Sequence, residues 1–315
     1  MKENRNNTDI LMENGTMAIE TFTDMMKDAL SSRIEGCTME AQEVRKNNSV
    51  ILHGLRITEP ENNVAPCIYL DNAFREYQNG RDFDEIVTAI VEDYKQNCQI
   101  SGFDASVITD YERVKEKICF KVVNTDLNKE LLADVPHIPF HDLSVIFYVL
   151  IDNIPGQNAS VLIRNKFLDD YWNVDADTLF DIAKSNNERL LGGQVVSMRS
   201  ALENILDDGG GSGGGWLPED SGMYVATNRS HTNGAAVFLY DSLLSEFADQ
   251  IDNDFLIIPS SIHELILLPD GLNQDPEKIR SMILNVNSTC VDPEEILSNN
   301  LYRYRRETGL VELVA

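Results

Sequence analysis

Two short segments hold residue types that could do acid–base or ligand chemistry. PSSIHELILLPDG (259–271) carries Ser261, His263 and Glu264 among aliphatic neighbours. Read as a strand, it turns His263 to one face with Leu265 and Leu267, and Glu264 to the other with Ile262 and Ile266. An ionisable group in apolar company needs a partner, and burial shifts its pKa toward values useful in proton transfer. His263 and Glu264 are therefore the candidate acid–base pair. NRSHTNG (228–234) sets Asn228, Arg229, Ser230 and His231 on one turn. There the guanidinium could clamp a carboxylate or phosphate, while Asn228, Ser230, His231 and the nearby Ser261 supply ligand contacts. Each segment also has a plainer reading. His263 and Glu264 can be hydrogen-bonded residues near a strand end, and 228–234 a polar hairpin turn. The His-Glu pair is no zinc-protease signature, because position 267 is Leu where a second His would stand. No GxSxG elbow surrounds Ser230.

Three further motifs are weaker. VPHIPFHD brings His137, His141 and Asp142 close in sequence, but its prolines exclude a shared helical face, so no metal is assigned. YRYRR (302–306) is basic with interleaved tyrosines, yet a charged strand edge that blunts aggregation explains it better in so acidic a chain. GGGSGGG (209–215) has no Lys near it and follows a helix, so it fails as a phosphate loop. It reads as a flexible spacer, and its regularity suggests an engineered loop replacement.

The chain of 315 residues is 43% hydrophobic and 25% charged, enough for a sizeable core. Its 52 acidic residues outnumber 26 Lys and Arg, for a net charge of −26. That field repels nucleic-acid backbones and anionic membranes and attracts basic partners. Five dispersed cysteines form no CxxC, the N-terminus lacks a signal-peptide core, and no apolar run approaches a membrane span. A cytoplasmic protein without a cofactor is the expectation.

These motifs need elements to hold them. Apolar spacing predicts an amphipathic helix over 17–34, then two strands flanking Asn47-Asn48, a strand at 66–70 and helices through 72–97. ICFKVV (118–123), the nearly continuous apolar run 143–151, and 159–164 read as strands, with helices at 126–133, 165–171, 176–190 and 198–206. Strands follow at 222–227, 235–240, 254–259 and 262–269, helices at 242–251 and from Pro276 to about 286, and a final strand pair around Thr308-Gly309. The windows 147–172 and 223–248 echo each other as β-β-α units, through convergence or duplication. Together these predict an α+β protein with two mixed or mainly antiparallel sheets and flanking helices. The expected units are 1–135 and 136–315.

The phrases VRKNNSVILHGLRI, IYLDNAFREYQNG, LLADVPHIPFHDL, MYVATNRSHTNGAAVFLY and LIIPSSIHELILLP resemble an uncharacterised family from gut Clostridia and their relatives, over about residues 40–305. The resemblance implies a bacterial cytoplasmic protein and no reaction; the Gly/Ser run is where the chain departs from it. The favoured function is a binding or interaction role, with the acidic surface contacting a basic partner, in a setting such as a mobile element or phage conflict. The alternative is a hydrolase or transferase whose cleft joins the 228–231 turn to the 260–264 strand.

Overall fold

The computed structural model describes residues 12–13, 16–60, 65–97, 105–151, 159–208, 222–271 and 275–314. The Gly/Ser run at 209–215 lies outside them. The described residues form an α+β protein whose sheets are all antiparallel, as expected, though there are three main sheets and a two-residue ladder rather than two sheets. Contacts divide the chain into two units, 1–46 with 50–106, and 47–49 with 107–315. The boundary expected near 135 falls inside the second unit, because the strand at 118–124 pairs along its whole length with the strand at 143–151.

In the first unit, helix α1 (Ile19–Ser31) packs on a three-stranded sheet of β1 (Thr38–Arg45), β2 (Ile51–Thr58) and β3 (Cys67–Tyr69), with β2 central. Phe22, Met26 and Leu30 recur every four residues and are fully buried against Leu55, Ile57 and Met39. Burial of each such side chain is worth about 1.5–3 kcal/mol. Helices α2 (Asp71–Gln78) and α3 (Phe83–Asn97) close this core, their Phe74, Tyr77 and Phe83 rings surrounding Phe22. The hairpin expected at Asn47-Asn48 is present. Asn48 and Ser49 both take φ of 57°, a conformation that Asn tolerates better than most residues.

The second unit holds two sheets. In one, β4 (Ile118–Asn124) and β5 (His137–Phe140) flank β6 (Leu143–Ile151), whose far half pairs with β7 (Ala159–Leu162). The first seven residues of β6 are buried, which explains its unbroken apolar run. Helix α4 (Ala176–Asn186) runs into a π turn, and the Asn187 side chain there covers the open edge of β4. Its Oδ1 accepts the Phe120 N–H at 2.9 Å and its Nδ2 donates to the Phe120 carbonyl at 3.0 Å, completing a ladder step where no described strand lies.

The second sheet has six strands. Taking β8 (Gln194–Ser197), β9 (Tyr224–Thr227), β10 (Phe255–Pro259), β11 (Leu265–Pro269), β12 (Tyr302–Arg305) and β13 (Leu310–Leu313), their order is β8-β9-β11-β10-β12-β13. Helix α5 (Met198–Asp208) follows β8, α6 (Asp241–Ile251) precedes β10, and α7 (Pro276–Thr289) begins at an Asp275 cap that accepts the Glu277 N–H.

Two expectations fail here. Residues 235–240 are not a strand: Gly234–Leu239 wind as a 3-10 helix. Ala235 to Phe238 are all buried, so period two never shows in the sequence, and left-handed Asn233 turns the chain before them. The second β-β-α echo therefore lacks its second strand. Residues 262–264 are not a strand either. Pairing of Pro259 with Leu265 leaves 260–264 as the loop between β10 and β11, closed by the Ser261 N–H donating to the Glu264 carbonyl.

Candidate functional site

The structure joins the two motif segments, chiefly through their backbones. β9 delivers Thr227, whose hydroxyl donates to the His263 carbonyl at 2.8 Å. The Ala235 N–H donates to the Ile262 carbonyl at 3.1 Å, and the Asn233 N–H donates to His263 Nδ1 at 3.2 Å. This approach is close enough to dictate glycine at 234. A Cβ there would lie 2.1 Å from Thr227 Oγ1 and 2.3 Å from the His263 carbonyl oxygen.

Asn228 is fully buried and ties the turn together. Its Oδ1 accepts from the Ser230 hydroxyl at 3.0 Å and the Thr232 N–H at 3.3 Å, and its Nδ2 donates to the Thr232 carbonyl at 2.8 Å. His263 has both ring nitrogens engaged. Nδ1 accepts a backbone N–H, so the neutral ring carries its proton on Nε2, which lies 3.5 Å from Glu295 Oε1. Proton transfer by His263 would require one of these two contacts to open. Ser261 Oγ accepts the His263 N–H at 3.0 Å, and Glu264 Oε1 accepts from the Ser260 hydroxyl at 3.3 Å. Arg229 and His231 lead elsewhere in the same unit. The Arg229 side chain lies across Gly192, and the His231 ring is 3.4 Å from the Gln194 amide nitrogen. Thus Asn228, Ser230, Ser261, His263 and Glu264 form one hydrogen-bonded clasp, while the exposed Arg229 and His231 face the start of β8.

The VPHIPFHD residues separate. His137 Nδ1 bonds the Val135 carbonyl, His141 Nε2 the Val311 carbonyl, and Asp142 accepts from the hydroxyls of Ser298 (2.7 Å) and Tyr302. Burial, reinforced by the Asp142 carboxylate, raises the Tyr302 phenol well above its ordinary pKa. That phenol is a fixed donor. Among the described residues, no group of three or more His, Cys, Asp and Glu side chains is arranged to hold a metal.

The first unit contains a feature the motifs did not signal. A cleft of about 200 Å³ is lined by Glu20, Thr23 and Asp24 of α1, Ala41, Gln42 and Glu43 of β1, and His53 of β2. Glu43 and His53 are direct cross-strand partners. Asp71, the first residue of α2, accepts the His53 backbone N–H at 2.8 Å and lies 3.1 Å from Nδ1. In the neutral ring Nδ1, facing a carboxylate, carries the proton, and Nε2 is left as an acceptor. Thr23 is only 5% exposed, and its hydroxyl is buried without a partner among the described residues. A signal for this site did exist in the sequence. His53 stands in register with core-facing Leu55 and Ile57, and Thr23 interrupts the buried stripe of α1.

A family of unknown function, DUF5688, matches residues 19–306. The chain belongs to this family. The match runs through both units and includes the cleft and the clasp. No curated protein and no solved structure matches the chain. Among the described residues, no helix is long and apolar enough to cross a membrane.

Proposed function

We propose that this DUF5688 protein is a binding protein that recognises a positively charged partner through the acidic face of its first unit. The observation that carries this reading is the stripe Glu20, Asp24 and Asp28 on α1. All three are exposed, spaced four residues apart, and without a cationic partner among the described residues. Like charges at this spacing destabilise a helix by roughly 0.2–0.5 kcal/mol per pair. A cation supplied from outside would relieve that cost, and the net charge of −26 would steer it in. A bacterial, cytoplasmic setting belongs to the same proposal; free thiols at Cys37, Cys67, Cys119 and Cys290 support it.

An oligolysine peptide serves as the probe. It should bind with an affinity that falls as salt rises, and the triple change Glu20→Gln, Asp24→Asn, Asp28→Asn should weaken binding about tenfold or more. Equal affinity of the triple variant and the parent would overturn the reading. A hydrolase or transferase at the joined turns has one supporting observation: Arg229 is exposed and has no acidic partner among the described residues.

A further inference from the structure

We propose that the cleft between α1 and the β1–β2 hairpin is a specific site for a primary ammonium group on an alkyl chain. This deepens the binding role proposed above and rests on it for the charge of the ligand, but it assigns the recognition to one cleft.

Four features converge. First, the buried Thr23 hydroxyl has no partner among the described residues, and a polar group left so costs about 1–3 kcal/mol. The oxygen itself is closed to solvent, so a donor arriving in the cleft removes that cost once the Thr23 side chain turns toward it. Second, the orientation of His53 by Asp71 makes Nε2 an acceptor, with no partner among the described residues. Third, the exposed carboxylates of Glu20, Asp24 and Glu43 line the cleft and have no cationic partner among the described residues. Fourth, the cleft is small. At about 200 Å³ it falls below the roughly 300–1,000 Å³ typical of drug-sized ligands and suits a short chain.

The wall thus offers acceptors of three kinds: a hydroxyl, an imidazole nitrogen and carboxylates. A primary ammonium has three rotatable N–H donors and no acceptor, which matches that set. A guanidinium presents a rigid planar fork best met by one carboxylate in its plane. A bare metal ion fits less well, since these side chains do not form a metal-holding group. Ala41 and the stem methylenes of Glu20 and Glu43 can pack against the alkyl chain.

The test is calorimetric titration of the full chain with n-pentylamine, 1,5-diaminopentane, Nα-acetyl-lysine methylamide, 1-pentanol and tetramethylammonium. The amines should bind saturably, and the last two should not, lacking the charge and the N–H donors respectively. Binding of the free amines alone assigns a small-molecule ligand; binding of the lysine derivative as well assigns a side chain of a partner. Thr23→Val and Glu43→Gln, confirmed as folded by thermal denaturation, should each weaken amine binding about tenfold or more. Absent amine binding, or equal affinity in both variants, would overturn the site. If the oligolysine peptide still binds in either case, the acidic-face reading stands and only the cleft assignment fails.

Discussion

The cleft of the first unit and the clasp of the second both gather a histidine, hydroxyls and carboxylates, and they differ in what is left unsatisfied. In the clasp, His263 uses both ring nitrogens, Asn228 makes three bonds, and Thr227, Ser230 and Ser261 each have a partner. In the cleft, the Thr23 hydroxyl and His53 Nε2 have none among the described residues. A satisfied polar cluster has spent its bonding capacity on the fold. One with open, buried groups bears a cost that a ligand can remove. Residue types alone do not separate the two, but bond accounting does.

Substitutions can break or sharpen this contrast. The largest effect is expected at Gly234→Ala, where the new Cβ meets Thr227 Oγ1 and the His263 carbonyl. A loss of about 3 kcal/mol or more should appear in urea unfolding. His263→Ala should follow with about 1–3 kcal/mol, because it strands the Asn233 N–H, and it should leave oligolysine binding untouched. Thr23→Val should act in the opposite sense, raising stability by about 1–3 kcal/mol, because it removes the unpartnered buried hydroxyl, while reducing amine binding. If Thr23→Val destabilises as much as His263→Ala, the cleft is structural and the contrast collapses.

A smaller effect concerns acid. The Arg306 backbone N–H, then the Arg305 side chain, hold the Asp254 carboxyl below its ordinary pKa against a raising contribution from burial. The folded value is depressed, so the stabilisation is complete above the ordinary carboxylate value of about 4 and is lost as pH falls through the folded one. Asp254→Asn should therefore flatten this part of the acid limb of stability in a pH series of denaturation curves. An acid limb identical to the parent's would remove Asp254 from the account.

Much of the fold was legible because it rests on local periodicity. Phe22, Met26 and Leu30 mark α1, and the Asn47-Asn48 turn marks the first hairpin. Residues 235–239 were not legible as helix, since a segment buried on every side has no contrasting face. The 262–264 segment misled for a different reason. Its alternation is real, but strand pairing stops at Leu265, and the sequence does not show where a partner ends. For the sites, proximity in sequence was a poor guide. His137, His141 and Asp142 disperse to different partners, whereas the cleft assembles Thr23, Glu43 and His53 from three elements and takes Asp71 from a fourth.

The central claim is that the open cluster, and not the closed one, receives a cation. The most direct measurement is an amide ¹H–¹⁵N NMR titration of the full chain with n-pentylamine at constant pH and ionic strength. The account predicts saturable shifts at Thr23, Glu43 and His53 and none at Asn228, Asn233 or His263. Shifts confined to the 228–233 and 260–264 segments, with the cleft amides unmoved, would contradict it.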